Sequence, residues 1–456
     1  MGRANFVTVI WLILLIISET TFCIPGQMCS AAGLPDCLES MSKGNLDLSR
    51  QLHLIQYYKS GIKAARSAFL PNIEILGFGE QVGGSRRFNA MTEDIYISSL
   101  RHHDKIYGYG ITGAQPLIKE GSLLGLGAPS IKKERIAVQK EQTVRKELEV
   151  LFTNNLTLRF AELEAYRLLH SYWREMNACT AKSLLMVEEE VARGLKNMKD
   201  LSVAQERTEL VKTQIATFHS KMVSVEQDIK TIAQLKVDEP LETANILKSL
   251  DNDIQIAGRE QLLTLAINNN LEIAVLKQEC DMLKQDFKII RNAILPEISL
   301  SGTYFQLRGF ETDVLDDYWK VKMNFKLNIW QSGGLRARIK QIMELLQAKE
   351  DEIKLKEKII RQTVITSLNQ IDALLYQRQQ GRTLCKIDQQ TLDEKTITVN
   401  TGLSNESELC ETKITWLETL GEFIETKLEL KRQLMALLTY LNVKVTDNSC
   451  YKFQTN

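Results

Sequence analysis

The sequence predicts an α+β chain, mostly long α-helices in coiled-coil hairpins, with four β-strands arranged as two β-hairpins. Three observations lead to this prediction. One plan of helix, strand pair and two long helices occurs twice along the chain. The strands alternate apolar and polar residues, which is the period of a half-buried strand. Only 7 of 456 residues are proline, and long stretches lack both proline and glycine, which favours long helices.

The N-terminus has the pattern of an export signal. Arg3 precedes an apolar run over Phe6–Ile17, and a polar segment follows. The run is too short for an ordinary spanning helix, so we predict a signal peptide over residues 1–23, with an uncleaved anchor as the alternative. Cys23 is a candidate for lipidation, although bulky Phe22 stands where a small residue is usual. No other apolar run approaches the ~18 residues that a membrane-spanning helix needs.

Two segments share one plan at a constant offset of 225 positions. Asn45 aligns with Asn270 and Pro71 with Pro296, and each segment is a helix that ends in the letters AxLP before a strand. Proline disfavours helical geometry in the residue before it, so it suits a switch from helix to strand. The predicted divisions of the exported chain are two structural repeats and a C-terminal tail, at residues 24–238, 239–445 and 446–456.

The β-hairpins are predicted at residues 72–118 and 297–330, and the clearest strand lies in Tyr318–Gln331. One side of that strand is apolar: Trp319, Val321, Met323, Phe325, Leu327 and Ile329. The other side is polar: Lys320, Lys322, Asn324, Lys326 and Asn328. A soluble sheet with one face on a core would also produce this alternation.

The strand lengths and the lysine-rich face favour a membrane instead. A tilted spanning strand needs about 9–11 residues, and a polar inner face suits a water-filled lumen. Four strands cannot close a barrel, and open edges are not tolerated in lipid. We therefore expect several chains to pool their strands into one barrel, with the apolar side facing lipid and the polar side facing the lumen.

Long helices follow each hairpin. Apolar residues recur every seven positions from Ile339 to Ile360, which predicts coiled-coil packing of a helix over Leu335–Thr398. A matching helix is expected over Ser130–Arg193. Gly194 and Gly402 follow these helices, and a glycine there is the usual C-terminal cap. Second helices are expected over Leu201–Leu235 and Glu408–Leu441, so each pair forms a hairpin that turns at its glycine.

Other classes of function find no support in the composition. Basic and acidic residues both total 57, so the net charge indicates neither nucleic acid nor an acidic substrate. The eight cysteines lack the spacing of a zinc site, and Cys29 with Cys37 could close a small loop in an oxidising compartment. We expect no enzymatic activity, no cofactor and no metal.

Because these motifs occur in this order and occur twice, the chain resembles the outer membrane efflux proteins, or TolC-like outer membrane factors, of Gram-negative bacteria. The resemblance rests on the two AxLPxI motifs, on the letters QPL and WQSGGLRARI between strand and helix, and on the glycine turns. It implies a homotrimer in the cell outer membrane, with a twelve-stranded barrel continued by a helical tunnel in the periplasm. It also implies a passive exit duct of a tripartite efflux system, served by a periplasmic adaptor protein and an inner-membrane pump.

The resemblance also implies a periplasmic entrance ringed by acidic residues. Glu408 and Glu411 lie six and nine positions after Gly402, and Asp200 lies six positions after Gly194. The alternative is that these are solvated residues at helix starts, where the helix dipole favours negative charge. Two other functions stay open at this point: the outer-membrane duct of type I protein secretion, and a secreted coiled-coil scaffold without a barrel.

Overall fold

A computed structural model describes residues 32–81, 105–242, 246–251, 258–309, 315–328, 333–403 and 405–444. The predicted signal peptide, Cys23, Cys29 and Ile329 lie outside these residues, as does the predicted tail. The described helices are α1 Leu34–Gly44, α2 Leu46–Ser67, α3 Pro129–Ala192, α4 Met198–Ala233, α5 Arg259–Asn268, α6 Leu271–Asn292, α7 Gly334–Asn400 and α8 Glu406–Tyr440. None of these helices is both long and apolar enough to cross a membrane.

The strands form one antiparallel sheet. They are β1 Asn72–Gln81, β2 Lys105–Lys119, β3 Ser122–Leu123, β4 Glu297–Gly309 and β5 Leu315–Lys326. The four long strands lie in the order β1-β2-β4-β5, and the two-residue β3 pairs only with the end of β2. The two β-hairpins therefore lie side by side, joined through β2 and β4. Within the described residues, the outer edges of β1 and β5 pair with no other strand.

Proline marks both passages from helix to strand. Helix α2 ends at Ser67 and β1 begins directly after Pro71, while α6 ends at Asn292 and β4 begins directly after Pro296. The same sequence motif thus produces the same change of backbone geometry in both halves of the chain.

Strand β5 begins and ends earlier than the sequence pattern indicates. Its last residue, Lys326, pairs with Glu297, which is the first residue of β4 after Pro296. No residue of β4 is left to pair with Leu327 or Asn328, so both follow the strand rather than belong to it. At the other end the ladder extends to Leu315, which pairs with Arg308. Lys326 is thus the last paired residue of the hairpin predicted over residues 297–330, and residues 329 and 330 lie outside the described part of the chain.

The long helices form two antiparallel hairpins, α3 with α4 and α7 with α8. Helix α3 has 64 residues and α7 has 67, so each is about 100 Å long at 1.5 Å per residue. Helices α3 and α8 also pack against each other and join the two hairpins. The largest core cluster combines residues from α3, α5, α7 and α8, including Leu169, Val364 and Leu434.

The heptad residues of α7 are buried only in part. Ile360 is buried, whereas Ile339, Leu346 and Ile353 stay partly exposed in the chain by itself. The half of α7 next to the sheet thus has an apolar side without full cover from its own chain.

Candidate functional site

One face of the sheet is apolar and exposed. We call it the apolar face, and the registers place its members on one side of all four long strands. They are Ile73, Ile75, Tyr109, Ile111, Leu300, Tyr304, Trp319, Val321, Met323 and Phe325. Ile75 is 82% exposed, Trp319 74% and Phe325 64%. An apolar surface that is continuous over four strands is not stable in open water and requires an apolar environment.

The opposite face, here called the polar face, carries hydroxyl, amide and amino groups. Its members are Glu74, Thr112, Ser301, Thr303, Lys320, Lys322, Asn324 and Lys326. The Asn324 amide donates to the Ser301 hydroxyl at 3.1 Å, and the Thr112 and Thr303 hydroxyls lie 3.2 Å apart. These bonds between strands hold the polar face together with groups that also bind water.

An aromatic residue interrupts the polar face at one place. The ring of Phe305 lies over Gly110 and is almost fully buried, and a Cβ at Gly110 would approach that ring to 2.3 Å. Gly110 is therefore required for close contact between β2 and β4. The alternating glycines of β2 were visible in the sequence, but their partner on β4 was not.

The apolar face ends in aromatic residues at the end of the sheet away from the helices. Tyr304 pairs with Trp319 and also with Ile111. The Tyr109 hydroxyl donates to the Gln306 side chain at 2.5 Å, and the Gln306 amide donates to the Tyr304 hydroxyl at 3.1 Å. Aromatic rings with a polar group at one end are typical of the boundary between lipid and water.

The opposite end of the molecule is formed by the tips of the two helical hairpins, which have the same backbone structure. Gly194 and Gly402 both have φ of +74°, a left-handed conformation that glycine adopts without strain. The next residue donates its N–H to the carbonyl five positions earlier, Leu195 to Glu190 at 2.8 Å and Leu403 to Thr398 at 2.9 Å. This is the Schellman ending of a helix, and it fixes the direction of the turn.

The helices that leave the two tips also begin alike. Asn197 caps α4 and Asn405 caps α8, each by accepting the N–H of the third helical residue, Asp200 at 3.0 Å and Glu408 at 2.8 Å. The Asp200 carboxylate in return accepts the Asn197 N–H at 3.1 Å, which completes a capping box. Two of the three predicted entrance residues thus occupy the same position of a helix cap.

The carboxylates at the tips have basic neighbours in the same chain. Glu408 forms an ion pair with Lys395 of α7. Lys196, in the turn of the first hairpin, pairs with Glu190 at 2.7 Å, and this hydrogen bond raises the pKa of Lys196, with smaller contributions from Asp200 and Glu411. The structure therefore does not gather Asp200, Glu408 and Glu411 into one bare acidic cluster within a chain.

An open cleft of about 390 Å³, here called the tip cleft, lies between α7 and α8 near the turn of the second hairpin. Its lining residues are Asp388, Thr391, Lys395, Glu408, Glu411, Thr412 and Thr415. The three carboxylates exceed the one ammonium group, so the lining is acidic and suited to cations.

The sequence contained a signal for the caps but none for the counter-ions. The letters NxxD and NxxE three residues after each glycine are the sequence signature of a capped helix start. The partner of Glu408 is Lys395, and that pair depends on the shape of the turn between two helices. In the described residues, no group of three or more His, Cys, Asp or Glu side chains is arranged to hold a metal ion.

The chain thus combines an open-edged sheet that has an exposed apolar face with helices about 100 Å long, and comparisons with known proteins find the same combination. Residues 262–443 match the model of the outer membrane efflux protein family. This match confirms the resemblance to that family seen in the sequence, over the second of the two repeats.

Solved structures show the same fold over nearly the whole chain. The channel CusC matches with a TM-score of 0.70 and 16% identity, over 91% of this chain and 95% of that one. VceC of Vibrio cholerae matches with a TM-score of 0.68 and 11% identity, over 90% of this chain and 96% of that one. CmeC of Campylobacter jejuni matches with a TM-score of 0.68 and 13% identity, over 90% and 85%. No curated protein sequence matches this chain.

Proposed function

We propose that this protein is an outer-membrane channel, built from three copies of the chain, that serves as the passive exit duct of a tripartite efflux system. Three chains would place twelve long strands in one closed barrel, and their long helices would continue it as a tunnel in the periplasm. An inner-membrane pump would deliver the substrate through a periplasmic adaptor protein.

The observation that carries this proposal is the two-sided sheet. The apolar face needs lipid, whereas the lysines and hydroxyls of the polar face need water. The four long strands have 10 to 15 residues, which is enough to cross the hydrocarbon layer at a tilt. The unpaired edges of β1 and β5 must find partners in lipid, and neighbouring copies of the same chain can provide them.

The helices support a contact with neighbouring copies as well. Met343, Leu355, Ile359, Ile365 and Tyr376 of α7 are exposed large apolar side chains. Together with the partly covered heptad residues, they give α7 an apolar surface that its own chain does not bury. A secreted scaffold without a barrel would leave both this surface and the apolar face in water.

A pair of variants in β5 tests the assignment of the two faces. Val321→Lys places a charge on the apolar face near the middle of β5 and is expected to cost about 2–4 kcal/mol of barrel stability. The expected result is a strong loss of assembled protein in the outer-membrane fraction. The matched variant Lys322→Gln, on the polar face, should assemble normally and change the single-channel conductance in planar bilayers. Equal losses of assembly in both variants would show that the faces are wrongly assigned.

The tip cleft is the proposed cation-selective entrance of the tunnel. Three-fold symmetry would bring three copies of Glu408 and Glu411 around one axis, and charges of like sign persist there when cations bind. The double variant Glu408→Gln with Glu411→Gln should weaken cation selectivity and relieve block by multivalent cations, with trimer assembly intact. Unchanged selectivity and block would mean that both residues have only a structural role at the tip.

A further inference from the structure

Two buried cysteines from different halves of the sequence meet between α3 and α8. Cys179 and Cys410 share a hydrogen bond between their thiols. Both belong to one buried cluster with Met176, Val211 and Ile414. Among the described residues they are the cysteines that contact each other through their thiols.

Ion pairs on both sides fix the position of the two helices at this contact. Glu175 of α3 pairs with Lys413 of α8 at 2.5 Å, about one helical turn to one side of the thiols. Lys182 of α3 pairs with Glu406 of α8, about one turn to the other side. Helices α3 and α8 thus run antiparallel here, and the contacts repeat every three or four residues along both helices. The thiols face each other because of the register of the helices, not because of one side-chain conformation.

The surroundings of the thiols favour a disulfide that is stable once formed. Burial raises the pKa of the Cys179 thiol, as does the neighbouring Cys410, whereas the Lys413 ammonium lowers it. A buried thiol with a raised pKa reacts slowly in the folded chain, so oxidation is expected while the two helices dock. After docking, the same burial shields the bond from reducing thiols.

We propose that Cys179 and Cys410 form a disulfide bond in the exported protein, which staples the first helical hairpin to the second near their tips. This inference rests on the proposed function, because the bond needs an oxidising compartment such as the periplasm. The oxidant is a disulfide donor, either a protein oxidoreductase or a small disulfide. One thiolate attacks the donor and releases one donor thiol, and the second thiolate then displaces the other donor thiol. The two cysteines lose two electrons and two protons, and the donor disulfide gains both.

The place of the bond gives it a mechanical effect. Cys410 lies eight residues after Gly402 and four residues after Glu406, the first residue of α8, which is about 6 Å along that helix. A covalent bond at this level limits how far the two hairpins can separate at the tunnel end. The ion pairs beside the bond hold α3 and α8 at the same distance but can break and form again, whereas the disulfide is covalent.

Peptide mapping of the full-length protein tests the proposal. The protein is isolated from the outer-membrane fraction, denatured in the presence of N-ethylmaleimide without reductant, and digested with trypsin. The expected product is peptide 175–182 linked to peptide 396–413, with at least a tenfold loss of maleimide labelling at both cysteines relative to a reduced sample. Cys179→Ser should abolish the link and make Cys410 fully labelled. The control variants Cys280→Ser and Cys385→Ser should leave the link intact.

Two results separate this inference from the proposed function. A chain in the outer-membrane fraction with both thiols labelled would overturn the disulfide and leave the channel standing. A chain absent from that fraction would contradict the proposed function. In that case, the reduced and denatured protein is refolded in a mixture of oxidised and reduced glutathione, which tests the contact by itself, and the proposal fails if the same two peptides do not become linked.

Discussion

Lys431 carries a positive charge that is buried in the folded protein at a cost in stability, so replacing it with an apolar residue should stabilise the protein. It lies on α8 with only 2% of its surface exposed. Burial lowers the pKa of Lys431 from 10.5 to about 8, although the Glu164 carboxylate of α3 acts in the opposite direction. Glu164 is itself held by the backbone N–H groups of Ile246 and Leu247, at 2.7 and 3.0 Å.

The size of the effect follows from the two pKa values. Each tenfold change in proton affinity corresponds to about 1.4 kcal/mol, so the folded state loses about 3 kcal/mol by holding this charge below pH 8. The attraction of Glu164 is already included in this net value. Lys431→Met removes this cost but also takes the ammonium group away from the buried Glu164 carboxylate, which keeps its two backbone N–H donors. The free energy of unfolding should therefore rise at pH 7 by less than about 3 kcal/mol.

The same pKa values give the effect a direction with pH. Between about pH 8 and 10.5 the unfolded chain keeps the Lys431 proton and the folded chain has lost it. Stability of the wild type therefore rises with pH in this window, as far as Lys431 is concerned. Buried thiols act in the opposite direction, since burial raises the pKa of Cys37 to about 11. The quantity to measure is therefore the difference between wild type and variant, in which the thiol contributions cancel.

Denaturant unfolding of the detergent-solubilised protein, followed by far-ultraviolet circular dichroism at pH 7 and pH 10.5, provides the assay. The advantage of Lys431→Met should shrink to near zero at the higher pH. The control Lys354→Met removes the same charge from an exposed site on α7 and should change little at either pH. A variant that is less stable than the wild type at pH 7, or an advantage that does not depend on pH, would refute the reasoning.

Two further changes test other parts of the structure. Gly402→Ala should lower the free energy of unfolding by about 1 kcal/mol, because φ is +74° and the added Cβ meets no atom within 4 Å, so only backbone strain acts. Gly421→Ala, inside α8, should instead raise the free energy of unfolding by up to about 1 kcal/mol. Equal shifts of the two variants in thermal unfolding would contradict this. Arg432→Met should destabilise by about 1.5–3 kcal/mol in the same denaturant assay, because the buried Glu162 loses two bonds of 3.1 and 2.9 Å but keeps its bond of 2.9 Å from Arg159. An unchanged midpoint would refute a stabilising pair.

The elements of the fold could be predicted where a local rule decides them. Proline ends α2 and α6, and glycine turns both helical hairpins, because these residues restrict or release the backbone of their own positions. The Asn caps obey a local rule too, and the letters after each glycine would have revealed them. The end of β5 could not be predicted from its own alternation, because the ladder stops where β4 has no further residue.

Contacts between residues that are far apart in the sequence could not be predicted from local sequence patterns. Glu408 was expected to be one of the acidic residues around an entrance, but its ion pair with Lys395 could not be foreseen, because it forms across a turn whose geometry depends on glycine conformation. The meeting of Cys179 with Cys410 depends on the register of two helices from different repeats. Heptads predict that α7 packs, but not which of its partners belong to the same chain.

The native mass of the protein extracted in mild detergent tests the central claim most directly. The unpaired edges of β1 and β5 cannot stay open in lipid, so the proposed barrel requires three chains in one complex. Native mass spectrometry should therefore show a single species with three times the mass of the mature chain. A folded, monodisperse monomer would contradict the proposed channel.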